Sequence, residues 1–406
     1  MSNVSIPAGR STAPGPDAPP RGGLSSTLVL ALGTFAVGTD AFVLAGFLPS
    51  MADDLRVSEA TAGQSITVFA AAYAILSPVL ATALARVPRR TVLIVALLVL
   101  AVANLGSALA PDMTVMIVSR VLAAAGAAAY TPNAGAVSAA LVRPELRARA
   151  LAVVIGGLTV ATALGVPLGN AASDRLGWRT ALALVAAVCL LTAVVLRLTM
   201  PWLPGGVRVP LRTRLSVLRR PAVLAVLPLS VLGMGACYTA YAYTVPVLEA
   251  VGVPGSGVVW MLFLYGLGAV IGNLAAGYAT DRWGSTRVLT TGYVTMAATL
   301  GVLAWLAAAD ADIEPLVGLL ALLWGASSWC QTPPQQHRLI GVAPQEAPLV
   351  VSLNSSSIYL GIGLGTALGG AALGAGAATV YGLGAVIAAV ALVFLLATSR
   401  SPADDG

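Results

Sequence analysis

The chain has 406 residues, of which 58% are hydrophobic and only 9% are charged. A soluble domain carries about 25% charged residues, so this composition excludes a soluble globular protein and predicts one that lies in a lipid bilayer. The formal net charge of +6 comes from Arg residues in short loops between apolar segments, which does not indicate a nucleic acid partner.

The order of apolar and polar segments predicts two halves. Residues 1–23 are rich in Pro, Gly and Ser and lack the apolar core of a signal peptide, so they are predicted to form a disordered cytoplasmic tail. Apolar segments of span length then recur, six over 24–200 and six over 221–398. The loop 201–220 has five Arg and no acidic residue and is predicted to be a cytoplasmic boundary between the halves. Residues 399–406 are predicted to form a second cytoplasmic tail. The sequence therefore predicts an all-α polytopic membrane protein with about twelve transmembrane helices.

The distribution of charge over the loops predicts the orientation of the chain. Most loop Arg residues follow the even-numbered spans or lie in the central loop, whereas the opposite loops hold acidic residues. These acidic residues are Asp53, Asp54, Asp112, Glu249, Asp310, Asp312 and Glu314. Basic loops stay on the cytoplasmic side, so both termini are predicted to be cytoplasmic in a multi-pass protein of the plasma (inner) membrane. Arg175 and Arg179 are a local exception.

Two stripes of small residues, half the chain apart, predict close packing between helices. The stripe residues are Gly157, Gly165 and Gly169 in the fifth span and Gly361, Gly365 and Gly369 in the eleventh. Residues four apart share one helical face, and small residues there let membrane helices approach backbone to backbone. With 43 Gly in the chain, one stripe carries little weight, but two in corresponding places indicate repeated halves. Pro167 lacks a backbone N–H and predicts a kink in the fifth span.

Two charged residues lie inside predicted spans, Asp40 in the first and Arg120 in the fourth. A charge in a membrane helix costs roughly 2.5–3.5 kcal/mol on insertion scales. Asp40 is therefore either a functional carboxylate that carries a proton or recognises a cation, or a neutral Asp in a structural hydrogen bond. Arg120 keeps its proton and needs a carboxylate, carbonyls or water inside the bundle, unless it snorkels to the nearby interface. Asp40 is one candidate partner.

A further set of aromatic and polar side chains falls inside the spans. An amphipathic solute needs a cavity with aromatic walls and a few polar groups, although each of these residues singly also fits a packing role. The cavity candidates are Tyr73, Asn133, Tyr238, Tyr241, Asn273, Trp324, Gln331 and Asn354.

No other chemistry is indicated by the sequence. It has no phosphate-binding loop followed by Lys and Ser or Thr, no nucleophile elbow and no cluster of metal ligands. Cys189, Cys237 and Cys330 each fall in an apolar segment without a disulfide or metal pattern. We therefore expect no enzyme activity, no cofactor, no metal site and no ATP-driven transport by this chain alone.

Four segments carry a family resemblance. They are GTDAFVLAGFLP in the first span, Arg120 with its small-residue tail, GGLTVATALGVPLGN followed by LGWR, and GYATDRWG in the second half. Together they resemble the major facilitator superfamily, and within it the twelve-span drug:proton antiporter branch of chloramphenicol-resistance and arabinose-efflux-type permeases. The last segment matches the family's loop motif G-x-x-x-D-R-x-G through Gly277, Asp281, Arg282 and Gly284, whereas the first-half copy has Ala85 in place of the acidic residue.

The resemblance implies the major-facilitator fold, in which two six-helix bundles rock about a central cavity to give alternating access, with the proton gradient as the energy source. Within that scheme the coupling carboxylate is Asp40, with Arg120 as its partner. The leading hypothesis is proton-coupled export of a small, partly apolar compound by a monomer whose partners are the solute, protons and the bilayer. The alternatives are efflux or uptake of a sugar, nucleoside or other metabolite and, more distantly, a membrane sensor that does not transport.

Overall fold

The computed structural model describes residues 23–143, 147–168, 177–205, 212, 217–309, 311, 313–343 and 347–399. Within these ranges every regular element is a helix. The α-helices are α1 (Gly23–Phe42), α2 (Leu48–Leu55), α3 (Glu59–Ala83), α4 (Arg89–Ala108), α5 (Met113–Ala140), α6 (Arg147–Val160), α7 (Trp178–Thr199), α8 (Pro221–Leu224), α9 (Leu227–Tyr241), α10 (Thr244–Glu249), α11 (Gly255–Trp283), α12 (Ser285–Ala308), α13 (Glu314–Trp329), α14 (Thr332–Val342), α15 (Ala347–Leu373) and α16 (Ala377–Thr398).

Ten of the described helices are long and apolar enough to cross a membrane. Two further spans are interrupted and complete the twelve. The fifth span is α6 followed by a π-helical turn at Ala161–Gly165, and the tenth is the pair α13 and α14. The predicted all-α fold with about twelve spans in two six-helix bundles is confirmed.

Each interruption has a local cause in the sequence. The π-helical turn comes just before Pro167, which has no N–H to donate to the carbonyl of Ala163, so the helix widens there instead of keeping its regular ladder. The break in the tenth span falls at Cys330 and Gln331, immediately before Thr332 and two prolines. Proline fits the first turn of a new helix but not the interior of a continuing one.

The two small-residue stripes pack in the same way in the two halves. The fifth span packs against α1, and α15 packs against α9. A Cβ added at a stripe glycine would overlap an atom of the facing helix in every described case. The overlapped atoms are the Ala31 carbonyl oxygen at Gly157, the Thr39 hydroxyl at Gly165, and the carbonyl oxygens of Val231, Gly235 and Thr239 at Gly361, Gly365 and Gly369. Gly169 lies outside the described residues.

Replacing a stripe glycine is expected to disrupt its bundle. Gly157→Leu would place a side chain against the backbone of α1, which costs more than the about 1–3 kcal/mol of ordinary core overpacking. Gly165→Leu is expected to have the same effect. We expect loss of folded protein on size-exclusion chromatography and a lowered thermal unfolding midpoint.

The adjacent residue provides a matched control. A Cβ at Gly156 meets nothing within 4 Å, and Leu has a higher helix propensity than Gly, so Gly156→Leu should fold at least as well as the natural chain. Equal stability of the Gly157 and Gly156 variants would contradict the packing role.

The short helices α2 and α10 contact each other at one end of the molecule, where the two halves meet. At that end Arg179 forms an ion pair with Asp54, and the indole Nε1 of Trp178 donates to the same carboxylate at 2.9 Å. Arg179, an exception to the loop charge pattern, is therefore neutralised by an acidic residue of its own end. Arg175 lies outside the described residues.

Contacts between the halves run from this end toward the middle of the spans. The first-half helix α3 packs along the second-half helix α15, and α11 packs on the π-helical turn of the fifth span. Tyr243, which follows α9, lies against Gly63 of α3 and donates its hydroxyl to the carbonyl of Thr366 at 3.0 Å. This packing closes the end of the molecule that holds α2 and α10.

Candidate solute and proton site

Asp40 and Arg120 form an ion pair in the interior of the first half. Asp40 lies near the end of α1, just before a 3₁₀ turn at Val43–Gly46. Arg120 lies on α5, with its Nη1 2.6 Å from the Asp40 Oδ1 and its Nη2 3.4 Å from Oδ2. The same Nη2 donates to the backbone carbonyl of Asp40 at 3.2 Å. Both side chains are 0% exposed, so Arg120 does not snorkel to the interface.

The surroundings of Arg120 leave part of its hydrogen-bonding capacity unused. Its guanidinium lies over the Phe69 ring at 4.6 Å from the centroid, which supplies a cation–π contact. Among the described residues, its buried Nε has no hydrogen-bond partner. A buried ion pair of this kind depends on both partners, because removal of either leaves an uncompensated charge in a region of low dielectric.

Aromatic rings from the two halves meet beside the ion pair. Tyr73 of α3 stacks on Tyr359 of α15 with ring centroids 3.7 Å apart, and Phe69 lies 6.1 Å from the same Tyr359 ring. Phe69 therefore links the Arg120 guanidinium to a ring of the opposite half.

A second group of rings crosses between the halves through Phe42. Phe42, two residues after Asp40, lies 6.3 Å from Tyr238 and 5.8 Å from Trp329, centroid to centroid. We call Phe42, Phe69, Tyr73, Tyr238, Trp329 and Tyr359 the aromatic contact between the halves. It brings together Tyr73 and Tyr238, which the sequence predicts as cavity residues.

Tyr241 and Trp324, two further predicted cavity residues, lie deeper in the second half. Tyr241 is 5.1 Å from Tyr238 and 4.5 Å from Tyr265, and Tyr265 is 5.2 Å from Trp324, centroid to centroid. The Tyr241 hydroxyl is buried and has no hydrogen-bond partner among the described residues. These rings extend the aromatic contact into the interior of the second bundle.

The predicted amide residues are separated from one another. Asn133 accepts from Arg89 at 2.5 Å and donates to the carbonyl of Ala129 at 2.7 Å. Gln331 donates to the Ser328 carbonyl at 2.8 Å, and Asn354 accepts from the Ser230 hydroxyl at 2.6 Å. Asn273 is half-buried on α11. The partners of the first three lie in their own half of the molecule. The bonds from Arg89 to Asn133 and from Ser230 to Asn354 join two helices of one bundle, whereas the bonds to Ala129 and Ser328 are local.

The loop motif of the second half lies at the opposite end from α2 and α10. Gly284 has φ +83°, a conformation that glycine adopts readily, and it sets the sharp turn into α12. Arg282 donates to the Tyr278 hydroxyl at 3.0 Å, and Asp281 and Gly277 precede it on α11. In the degraded first-half copy, the backbone N–H of Arg89 donates to the Leu203 carbonyl at 3.0 Å, which ties that loop to the central segment.

Sequence reasoning missed Phe42, Phe69 and Tyr359 as members of the site. For Tyr359 a signal was present, because it lies two residues before Gly361 and so about 200° around the helix from the stripe. The stripe packs inside its own half, so Tyr359, on the opposite face of the same helix, points toward the other half.

Two matching six-helix halves that meet around buried charged and aromatic groups are the architecture of a secondary transporter. The model for the Major Facilitator Superfamily matches residues 30–337 and 248–406. The inner membrane transport protein YdhP of Escherichia coli (strain K12) is 32% identical over 376 residues, which cover 92% of this chain and 95% of that protein. The uncharacterized MFS-type transporter YbcL of Bacillus subtilis (strain 168) is 29% identical over 345 residues, 84% of this chain and 87% of that protein.

The fold is similar to that of a solved transporter as well. The crystal structure of a bacterial homolog to the human lysosomal transporter Spinster, in an inward-facing and occupied conformation, superposes with a TM-score of 0.71 at 17% identity, covering 93% of this chain and 96% of that one. The chain belongs to the major facilitator superfamily, which confirms the family predicted from its motifs. Its family and relatives are transporters.

Proposed function

We propose that this transporter exports a small, partly apolar compound in exchange for protons. The observation that carries the proposal is the fully buried Asp40–Arg120 pair, 2.6 Å apart, beside the aromatic contact between the halves. A proton-driven cycle needs a group that changes charge and that the rocking halves expose to each side in turn. Among the described residues, Asp40 is the one acidic residue that is completely buried.

The chemistry of the pair links protonation to conformation. The attraction between Asp40 and Arg120 exists only while Asp40 is ionised, and a proton on Asp40 removes one of the two charges. Arg120 then needs another partner, and its guanidinium already contacts Phe69, whose ring touches Tyr359 of the opposite half. Protonation of Asp40 is thereby coupled to the contact that must open and close during transport.

The walls of the site favour an uncharged or weakly charged solute. Rings line the contact from both halves, and apart from the Asp40–Arg120 pair no charged side chain among the described residues is fully buried. Aromatic walls with few polar groups suit a compact, partly apolar compound. We propose that the chain works as a monomer, with the solute, protons and the bilayer as its partners.

We propose further that both termini face the cytoplasm in the plasma (inner) membrane and that the end with α2 and α10 faces outside. In this orientation the structure is closed to the outside. The test uses single cysteines in a variant that lacks Cys189, Cys237 and Cys330. Trp202→Cys reports on the central segment and Ile313→Cys reports on the opposite end. Both positions are accessible, because Trp202 is 67% exposed and Ile313 is 45% exposed.

The expected result is that an impermeant maleimide added to intact cells labels Ile313→Cys but labels Trp202→Cys only after the cells are permeabilised. Labelling of Trp202→Cys from outside would overturn the orientation.

A susceptibility panel tests the exported solute. The chain is expressed in a host that lacks its own pumps, and growth is measured across chemically varied toxic compounds. We expect raised resistance to neutral or partly apolar compounds, with lower intracellular accumulation that is restored when an uncoupler collapses the proton gradient. Resistance to no compound, together with uptake or efflux of a sugar or nucleoside, would favour a metabolite permease instead.

A further inference from the structure

A groove opens on the outer face of the second half, away from the aromatic contact. It lies between α11, α12 and α13 and has a volume of about 620 Å³. Small residues form its floor, among them Ala275, Ala276 and Ala279 of α11 and Ala326 of α13. The groove is therefore an apolar cleft, and it exists because these small side chains leave space between the helices.

The groove faces lipid and not the interface between the halves. α12 packs on α16 and α13, within its own half. Leu274, next to the groove on α11, is 70% exposed, and Val294 on α12 is 48% exposed. In a span, exposed apolar side chains of this kind contact acyl chains. A cleft among such side chains has the chemistry to take an acyl chain.

One end of the groove carries the features of a membrane surface. Tyr278 and Trp283, which line this end, are 65% and 56% exposed, and aromatic side chains of this type concentrate at the lipid–water boundary. Arg287 lines the same end from the first turn of α12 and is exposed. The groove therefore runs from the headgroup level into the hydrocarbon region, over about 12 Å between Arg287 and Thr295 at 1.5 Å per residue.

The charge at this end is positive. Among the described residues of the loop motif and the first turn of α12, Arg282 and Arg287 lie there with one acidic side chain, Asp281. Among the described residues, neither Arg forms an ion pair, while Arg282 bonds to the Tyr278 hydroxyl. A net positive rim at headgroup level attracts anionic lipid.

We propose that this groove is a binding site for an anionic phospholipid, with one acyl chain in the cleft and the phosphate at Arg287. Such a lipid would touch the tenth span at its interruption. Ser327 and Cys330 line the groove, and the break between α13 and α14 falls at Cys330 and Gln331. The bound chain would support the broken helix from the lipid side.

Native mass spectrometry of the purified full chain tests the proposal. The protein is incubated with equal amounts of dioleoyl-phosphatidylglycerol and dioleoyl-phosphatidylcholine, and retained adducts are counted. We expect about fivefold preferential retention of phosphatidylglycerol, the effect of one Arg near a membrane surface. Glycerol phosphate, which has the charge without the chains, is expected not to be retained.

Two variant pairs locate the site. Arg287→Gln should abolish the preference, whereas Arg86→Gln, which removes an exposed charge from the other half at the same end, should keep it. Ala279→Phe fills the groove and should lower retention of phosphatidylglycerol, whereas Ala298→Phe, on an exposed position of α12 outside the groove, should not. Equal retention of both lipids, or an unchanged preference in Arg287→Gln, would overturn the proposal.

Discussion

Asp40→Asn is expected to abolish concentrative export while leaving solute binding intact. The amide has nearly the shape of the protonated carboxyl group but cannot release a proton, so the chain can still bind solute but cannot exchange it for a proton. In vesicles with an imposed difference of about one pH unit, one proton supplies about 1.4 kcal/mol, enough to hold about a tenfold gradient of a neutral solute. The natural chain should approach that gradient, and Asp40→Asn should only equilibrate the solute.

The control is Asp53→Asn, which removes an exposed carboxylate from α2 and should concentrate solute like the natural chain. Binding is measured separately by the solute's protection against thermal unfolding. If Asp40→Asn still builds the gradient, the coupling group lies elsewhere or the protein is a facilitator.

Arg120→Ala is expected to lower the stability of the first half severely. It leaves the Asp40 carboxyl group buried without its partner, a change that costs about 3–5 kcal/mol in free energy of unfolding. The double variant Asp40→Asn with Arg120→Gln replaces the ion pair by two neutral amides that can bond to each other. It should recover most of that stability yet remain unable to couple export to protons.

The exposed pair between α2 and α7 provides the comparison. Arg179 and Asp54 are 39% and 51% exposed, and exposed ion pairs contribute about 0–1 kcal/mol, so Arg179→Ala should lower stability by about 1 kcal/mol or less. The unfolding free energies of the variants are measured by denaturant titration in one detergent. A stable Arg120→Ala protein, or a double variant as unstable as Arg120→Ala, would contradict the role of the buried pair.

Much of the fold could be predicted because the bilayer constrains it strongly. Every backbone polar group in lipid must be bonded within the chain, so apolar segments of about 20 residues have to be helices. The same constraint makes a buried charge costly, which is why Asp40 and Arg120 stood out in the sequence. Their contact depends on which face of α1 is turned toward α5, and the hydropathy of a span does not show how its helix is oriented about its axis.

The aromatic contact was only partly predictable for the same reason. The sequence indicates Tyr73 and Tyr238 as rings in spans, but Phe42 and Phe69 look like ordinary core residues until the opposite half is in place. Asn133, by contrast, is a polar residue of the kind expected in a cavity, and yet its side chain forms hydrogen bonds with Arg89 and with a backbone carbonyl. A polar side chain in a span must find a partner in any case, so its presence alone does not distinguish a solute site from a bond between helices.

The glycine stripes have a consequence for how such a protein diversifies. They fix the spacing of helices inside each half, and a change at Gly157 or Gly365 is opposed by backbone atoms that have nowhere to move. The rings of the aromatic contact face the opposite half, so we expect an exchange at Phe42, Tyr73 or Tyr359 to disturb the helix spacing inside a bundle less than a change at a stripe glycine. With the proposed function, selection for a new solute would act on a few rings while the scaffold that moves them is inherited unchanged.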